Sequence, residues 1–465
     1  VGSMAFLQED VMIAGYAAFV GMTIVFPVLF RFKFRFTNKT LLLTASIGLI
    51  FCNFIFLNAH SLPVLVTICF FSGILRLMGF FECMSTIQLK ITATRDFAKF
   101  FPVVYLLVLG SIQLSGILGG YISYYFSWEY MNLLAIGMLS LVVVSVMLLL
   151  RHFRFATPQP LNGIDWLGAF LWSLFIMLII FVLIYGEHYD WLSSKYIFMA
   201  IISSVVVFVM ILWRGRYVKH PFIDLHVLKQ RHFHTISLLF TAMCLLLATP
   251  NILQNTFTDA ILHYDTLTTM SLNWAVLAGI VGGAIFSYLA LVKWDCGYKL
   301  VTGIGFLFIV CYIVAMYFLI SPATSKELLY LPLFFRGAGN VVIYVVLTVY
   351  AARTIPFMPF FQALTILGFV RTCIGTPLGT AIIGRAFTIC TKRNMMDLGS
   401  ELDLQNPLVY SNSFDKIVNE LTRQSLLVSI KEIFGYVAIA GIFILLLTLM
   451  NRYKSLLKFK MPRWE

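Results

Sequence analysis

Glu82 is the acidic side chain that lies well inside a long apolar run of this sequence, whereas the other Asp and Glu residues lie in polar segments or at the ends of such runs. A carboxyl group among apolar side chains can take up or release a proton when neighbouring charges move. Arg76 lies about 120° away round an α-helix, so both residues can border one cavity. The pair predicts a proton-coupling site; the alternative is a structural ion pair between Glu82 and an arginine of a neighbouring helix.

Two further arginines, Arg336 and Arg371, also lie inside apolar runs and are predicted intramembrane charges, with either a transport role or a pairing role. The chain contains 44 Phe and 21 Tyr, and four amide side chains interrupt its apolar runs. A largely aromatic cavity with few polar groups suits varied amphipathic ligands. We therefore predict a substrate cavity that includes Gln113, Asn251, Gln254 and Asn340.

Glycines are grouped in two of the apolar runs, at spacings that bring them to one face of a helix. Small residues on such a face let helices approach closely and slide against each other. Static tight packing remains the alternative for each single position. The predicted helix-packing glycines are Gly110, Gly116, Gly119, Gly120, Gly375 and Gly379.

The sequence shows no pattern of catalytic or metal-binding side chains. The eight cysteines are scattered, mostly in apolar runs and without a CxxC pair, so neither a metal site nor a disulfide framework is indicated. A membrane-embedded enzyme would need a His/Asp or multi-carboxylate cluster at one membrane face. We therefore predict no enzyme activity, no metal and no cofactor.

The elements that must position these residues are membrane-spanning helices. Hydrophobic residues make up 60% of the 465 residues and charged residues only 11%, against roughly 25% charged in soluble domains. Thirteen apolar runs are long enough to cross a bilayer as helices, and they do not alternate as barrel strands would. The fold class is therefore an all-α, polytopic membrane protein, whose principal surroundings are lipid.

Orientation follows from the Lys and Arg residues. Most of the 33 fall in one set of alternate loops, including Arg31–Lys39 and the tail after Met450, and this set is predicted to face the cytoplasm. The net charge of +13 is thereby assigned to membrane orientation and not to nucleic-acid binding. The C-terminus is then cytoplasmic. Residues 1–10 then lie outside, so we expect either one further helix before the first run, making fourteen, or a fold that works without it.

Several features recur in the second part of the chain at a nearly constant offset. Arg76 is matched with Arg336, Lys39 with Lys299, and Gly116-x-x-x-Gly120 with the pair Gly375 and Gly379. Two like halves therefore flank an inserted pair of runs. We predict an N-terminal bundle over residues 1–157, two inserted helices and a cytoplasmic linker over 158–232, and a C-terminal bundle over 233–465. An external loop over 388–429 should contain a helix that lies on the outer surface, from Phe414 onward.

These features resemble the fourteen-helix drug/proton antiporters of the EmrB/QacA type, a branch of the major facilitator superfamily. The resemblance rests on LGGYISYYFSW (118–128), on IDWLGAF and GEHYDWLSS (164–170 and 186–194), on HPFIDLHVLKQRHF (220–233), and on FVRTCIGTPLGTAI (369–382). In the family's signature loop only Arg35 and Lys39 fit here, because both glycines and the aspartate are absent. The resemblance implies two six-helix bundles with two inserted helices, with the family's first helix not among the thirteen runs.

The function implied is proton-coupled export of small amphipathic compounds by alternating access, with Arg35 and Lys39 in a gating loop. The resemblance also implies a location in the inner membrane and admits a periplasmic adaptor as a further partner. An importer or facilitator of a specific solute is the alternative, because the loop signature is degenerate. A non-transporting sensor is a third possibility, for which the short loops offer little.

Overall fold

The structure is a computed structural model that describes residues 6–91, 96–153, 161, 163–218, 221–224, 227–228, 231–402 and 413–450. These residues form helices and no strand, which confirms the all-α fold. The helices before the insertion are α1 Gln8–Ile24, α2 Leu29–Arg35, α3 Asn38–Leu57, α4 Leu62–Ile91, α5 Phe97–Tyr125 and α6 Glu129–Leu149. The inserted helices are α7 Trp166–Tyr185 and α8 Lys195–Tyr217. The later helices are α9 Arg231–Leu246, α10 Thr266–Tyr288, α11 Tyr298–Leu319, α12 Lys326–Thr354, α13 Phe357–Gly368, α14 Thr376–Ser400 and α15 Phe414–Met450.

Short π-helical turns continue three of these helices at Pro250–Gln254 and Phe257–Ile261, at Leu289–Lys293, and at Phe369–Gly375. Twelve helices of the described residues are long and apolar enough to cross a membrane, and the count becomes thirteen when the bent pair α1–α2 is taken as one span. Each predicted apolar run therefore falls on a helix. The bend of 64° between α1 and α2 lies at Pro27, which has no N–H to continue the helical hydrogen bonds.

Helix packing follows the same plan in the two halves of the chain. In the first half α4 packs against α1 and α3, and α3 packs against α6. In the second half α12 packs against α10 and α11, and α11 packs against α15. The halves meet mainly through α5, which packs along α10 and α12. This repeated pattern is the arrangement expected of two pseudo-symmetric bundles.

Each half contains one very close helix crossing made by two glycines. A Cβ atom on Gly21 would lie 2.1 Å from the Phe70 carbonyl oxygen, and one on Gly73 would lie 2.0 Å from that of Ala18. Gly279 and Gly337 approach the carbonyl oxygens of Phe334 and Val276 in the same way, at 2.1 and 2.3 Å. Backbones can come this close only where no side chain intervenes.

The two crossings fix which residues correspond between the halves. They equate Gly73 with Gly337, so Arg76 corresponds to Asn340 and Arg336 corresponds to Ser72. The sequence match of Arg76 with Arg336 was therefore wrong by about one helical turn. The error arose because a near-constant offset in sequence ignores small length differences between loops.

The inserted helices α7 and α8 pack against each other, and α7 also contacts α1 and α14. Asp165 caps α7 by accepting from the Gly168 N–H at 2.9 Å, and its Oδ1 lies 2.7 Å from Nη2 of Arg214 at the end of α8. The boundary predicted at 157/158 lies outside the described residues, and the boundary at 232 falls at the start of α9. The three-part division stays a prediction.

The segment predicted as an external loop, residues 388–429, is helical at both ends. Residues 388–400 continue α14, and residues 414–429 form the first part of α15, which runs unbroken over 37 residues into its apolar part. The helix expected to lie on the surface is therefore the outer end of a spanning helix. Asn394 donates to Ser429 Oγ at 2.9 Å and to Glu432 Oε2 at 3.3 Å, so the two projecting helices contact each other. The tail after Met450, with the cytoplasmic C-terminus predicted from it, lies outside the described residues.

Candidate functional site

Glu82 forms a buried ion pair with a lysine. Its Oε2 lies 3.4 Å from Nζ of Lys33, and the two side chains are only 2% and 7% exposed. The bend at Pro27 turns α2 so that Lys33, one turn after the buried Leu29, faces α4. Lys33 also donates to Ser85, while Oε1 of Glu82 is buried and has no hydrogen-bond partner in the described part of the chain.

Arg76 is not part of this pair. Its side chain is exposed on α4 and forms no ion pair with any described residue. The alternative of a structural pair for Glu82 is thus closer to the geometry, although the partner is Lys33 of α2 and not an arginine. Sequence reasoning missed Lys33 because Phe30–Phe36 alternates Phe with other residues and was taken as a loop. The helical spacing from Leu29 to Lys33 was the available signal.

Aromatic rings connect the Lys33–Glu82 pair with the second half of the molecule. Phe30 of α2 contacts Phe361 of α13 with ring centroids 4.3 Å apart, edge to face, and contacts Phe81 of α4 at 5.4 Å. Lys33 Nζ lies 5.6 Å from the centre of the Phe81 ring. A change in the ion pair would therefore act directly on a contact between the halves.

The predicted gating-loop residues serve other contacts. Lys39 donates to the Met147 carbonyl oxygen at 2.8 Å, where a cation suits the C-terminal end of α6. Arg35 is exposed at the end of α2. Among the described residues neither side chain reaches the second half.

Two polar contacts that the sequence did not predict join the halves on the side assigned to the cytoplasm. Asp96, which caps α5, lies 3.3 Å from Nη2 of Arg353 at the end of α12. Arg353 also donates to the Tyr298 hydroxyl at 2.6 Å. About two and a half turns further into α5, the hydroxyls of Tyr105 and Thr348 lie 2.7 Å apart. An aspartate directly before a long apolar run, as at Asp96, indicates a helix N-cap. It does not indicate that Arg353 is the ion-pair partner.

Four polar side chains of α12 are spaced four residues apart, so they form a stripe along one face of the helix. We call these residues, Arg336, Asn340, Tyr344 and Thr348, the α12 stripe. At its outer end Arg336 donates to Oε1 of Gln254 at 3.0 Å, and the Tyr312 hydroxyl donates to the same oxygen at 2.9 Å. Asn340 Oδ1 is buried without a hydrogen-bond partner among the described residues.

Arg371 lies beside this stripe in the π-helical turn between α13 and α14. Its Nη1 donates to the Tyr105 hydroxyl at 2.8 Å, across the boundary between the halves. Its guanidinium carbon lies 5.0 Å from the centre of the Tyr344 ring, 5.6 Å from that of Phe240 and 5.7 Å from that of Tyr105. A π-helical turn widens the helix locally and is frequent at functional sites.

Four of the predicted polar residues, Gln254, Arg336, Asn340 and Arg371, are thus associated with the α12 stripe. Gln113 is not, because it reaches the Asn273 carbonyl oxygen of α10 at 3.4 Å. Asn251 is exposed one turn before Gln254. Gln254 and Arg336 are 82 residues apart in the chain, so their hydrogen bond could not be predicted from sequence.

The predicted packing glycines differ in what they contact. A Cβ on Gly120 would meet Met270 of α10 at 2.2 Å, one on Gly119 would meet Met131 of α6 at 3.0 Å, and one on Gly379 would meet Ala248 at 2.8 Å. Gly375 faces Cys244, and Gly110 lies 4.0 Å from Leu277 by the same measure. Gly116 has open space around it, so in this structure it makes no close packing contact.

The described residues contain no group of three His, Cys, Asp or Glu side chains placed to hold a metal ion. All eight cysteines are free thiols. The polar groups described above are instead suited to binding charges and moving a proton.

Comparison with known proteins identifies relatives among membrane transporters. No family model matches the chain. The probable multidrug resistance protein EmrY of Escherichia coli K12 is 29% identical over 72% of this chain and 66% of its own length. The multidrug export protein EmrB of the same strain is 26% identical over the same shares. The chain thus spans about 66% of the length of these relatives. They confirm the resemblance expected from the motifs, and as transporters they bear out the prediction that the chain is not an enzyme.

Solved structures agree on the fold. The nucleoside transporter NupG superposes with a TM-score of 0.53 at 11% identity, covering 97% of this chain and 93% of its own. The human organic anion transporter MFSD10 gives a TM-score of 0.50 at 10% identity, with 92% and 83% covered. These likenesses agree with the predicted fold class, an all-α polytopic fold.

Proposed function

We propose that the chain belongs to the major facilitator superfamily and is a secondary transporter that exports small amphipathic compounds in exchange for protons. The observation that carries the proposal is the repeated architecture. Two halves built on the same reciprocal glycine crossing enclose the α12 stripe and are joined at one end. Such halves can tilt against each other and expose a shared cavity to one side at a time. The similarity to the multidrug resistance protein EmrY and the multidrug export protein EmrB supports export as the direction of transport.

The arrangement supports a state closed toward the cytoplasm. Asp96–Arg353, Tyr105–Thr348 and the Phe30–Phe361 contact all lie at the end of the molecule assigned to that side. Opening toward the cytoplasm requires these contacts to separate. The glycine crossings lie within each half and need not change.

Glu82 is the proton carrier in this proposal. When its carboxylate takes a proton from the aqueous phase, the ion pair with Lys33 loses its negative partner while the ammonium stays buried. Leaving one charge of a buried pair uncompensated costs about 3–5 kcal/mol. That cost favours movement of α2 away from α4, and this movement separates Phe30 from Phe361. Release of the proton re-forms the pair and the closed contact.

The test is drug-stimulated proton movement in inverted membrane vesicles, together with dye accumulation in cells that lack other exporters. The intact protein should lower accumulation and release protons when substrate is added, and Glu82→Gln should abolish both. Glu420→Gln, at an exposed position of α15, is the matched control and should behave as the intact protein. Normal export by Glu82→Gln would refute the assignment of Glu82.

Import or facilitated uptake of a specific solute is the second candidate. It is favoured by the lack of any contact from Arg35 or Lys39 to the second half within the described residues. The same cells distinguish the two candidates. Protein-dependent uptake that does not respond to the pH gradient would establish the second and exclude the first.

The proposed location is the inner membrane with a cytoplasmic C-terminus, and the proposed further partner is a periplasmic adaptor. The outer ends of α14 and α15 offer a paired helical surface for it. A photoreactive residue at Met396, which is 68% exposed, should cross-link to a periplasmic protein in intact cells. The same residue at Phe443, 61% exposed within the apolar part of α15, is the control and should yield no protein adduct. Absence of a protein adduct from both positions would exclude an adaptor at this surface.

A further inference from the structure

Arg371 is a partly buried cation that has no acidic partner among the described residues. Every polar or ring contact recorded for its guanidinium is with an uncharged side chain: a hydrogen bond to Tyr105 and the faces of Tyr105, Tyr344 and Phe240. Its Nε is buried and donates to no acceptor in the described chain. The Nε side of a guanidinium is one edge of the fork that binds a carboxylate through two parallel hydrogen bonds.

The side chains near Arg371 also carry more positive than negative charge. Arg336, at the outer end of the α12 stripe, is also without an ion pair in the described residues and donates only to Gln254. The nearest acids along the boundary between the halves are already paired, since Asp96 contacts Arg353 and Glu82 contacts Lys33. The boundary between the halves beside the α12 stripe therefore carries positive charge that no described side chain neutralises.

Such a charge is stabilised only in part by aromatic faces. An anion would complete its coordination, and the site lies where the halves separate, because Tyr105 belongs to α5 and Arg371 to the second half. Tilting the halves apart withdraws the Tyr105 hydroxyl and opens the guanidinium edge to the cavity.

We propose that Arg371 binds the anionic group of an amphipathic substrate, a carboxylate or similar oxyanion. Tyr344 and Phe240 contact the apolar body next to that group, and Arg336 with Asn340 binds a second polar group further out. This inference rests on the proposed transport function and narrows it, because it selects anionic over cationic amphipathic compounds.

The test is equilibrium binding of two matched fluorescent probes to the full chain in lipid nanodiscs, with empty nanodiscs subtracted. 1-Pyrenebutyrate carries a carboxylate, and 1-pyrenebutylammonium carries a cation on the same apolar body. The intact protein should bind the carboxylate at least tenfold more tightly than the ammonium. Arg371→Gln should remove that preference, and Arg371→Lys should retain only part of it, because lysine keeps the charge but not the planar fork.

Two further variants separate binding from a structural role of Arg371. Tyr105→Phe removes the contact across the halves but keeps the cation, so the carboxylate should bind at least as tightly as before. Arg393→Gln, at a position 73% exposed, is the matched control and should leave both affinities unchanged. If Tyr105→Phe lowers carboxylate binding as much as Arg371→Gln, Arg371 acts as a strut between the halves and the proposal fails.

Equal binding of the two probes by the intact protein would also overturn the inference. The measurement needs no proton gradient, so its outcome is independent of the Glu82 experiment. Arg371-dependent binding together with normal export by Glu82→Gln would leave the anion site in place and remove only the proposed coupling residue.

Discussion

At the scale of single residues, the Lys33–Glu82 pair shows how little of a charged contact is visible in sequence. Glu82 stood out because carboxylates are rare within apolar runs, and its buried position could be expected from sequence alone. The burial of Lys33 could not be predicted from sequence, because it depends on the bend at Pro27 and on the direction of α2 after that bend. The same limit applies to Arg336 and Gln254, whose contact exists only once α9 and α12 are packed.

Removing one member of this pair should destabilise the protein more than removing both. Lys33→Met leaves Glu82 buried without a cation, at a cost of about 3–5 kcal/mol. The double variant Lys33→Met with Glu82→Met should recover most of that loss, because no unpaired charge remains. Thermal unfolding of the detergent-solubilised protein measures both effects. A loss in the double variant equal to the sum of the two single losses would show that the two side chains do not interact.

Asp165 links a helix cap to an ion pair outside the membrane-spanning part. Burial raises the pKa of Asp165, but the hydrogen bonds from Arg214 and from the Gly168 N–H outweigh it and hold the pKa below its usual value. A pKa that is lower in the folded than in the unfolded state stabilises the fold at neutral pH, and this contribution is lost as the pH falls through the folded pKa.

Asp165→Asn should therefore lower stability by about 1–2 kcal/mol at pH 7, because one cap and one charge-assisted pair are weakened. The difference from the intact protein should shrink when thermal unfolding is repeated at progressively lower pH, below the usual range of a carboxyl group. A difference that is constant with pH would contradict the role given to its ionised form.

At the scale of elements, the hydrophobic runs of the sequence predicted the position of every spanning helix. They did not predict where α14 ends or where α15 begins. The sequence from Thr388 to Ser429 is polar with both charge signs, and polarity alone does not distinguish a loop from a helix in water. What continues α14 and α15 outward is their contact with each other, through Asn394 and Ser429 among others. The glycine crossings were likewise beyond sequence analysis, since the glycines predicted to pack were different ones.

The crossings give a sharp prediction at this scale. Gly73→Val and Gly337→Val each place side-chain atoms against a backbone carbonyl, so each should destabilise its half by about 1–3 kcal/mol or more. Gly137→Val in α6, where a Cβ would meet nothing within 4 Å, is the matched control. Yield of monodisperse protein and its melting temperature are the measurements. Unchanged values for Gly73→Val would mean that α1 and α4 do not cross as described.

At the scale of the whole molecule, the bundle architecture follows from the repeat, and the repeat was detectable from sequence despite its error of one turn. The contacts that join the halves at the end assigned to the cytoplasm could not be predicted, because contacts such as Asp96–Arg353 link residues far apart in the chain. Alternating access requires that this end open during each cycle.

Locking that end should stop transport. In a variant without native cysteines, Asp96→Cys with Arg353→Cys should be cross-linked by a short bis-methanethiosulfonate reagent, which replaces the length of the lost arginine side chain. The cross-link should abolish export, and a reductant should restore it. Asp165→Cys with Arg214→Cys is the matched control, because its ion pair of 2.7 Å joins the two inserted helices and does not bridge the halves. Export that continues after complete cross-linking of the first pair would rule out rocking about this end.

The unbroken course of α15 has a mechanical consequence. Between Phe414 and Glu432 the helix extends past its apolar part by about 28 Å, at 1.5 Å per residue. When this segment moves as one rigid helix, a tilt of about 10° at Glu432 moves the end at Phe414 by roughly 5 Å. A spin label near Phe414 would thus convert small rearrangements in the core into larger distances that are readily measured.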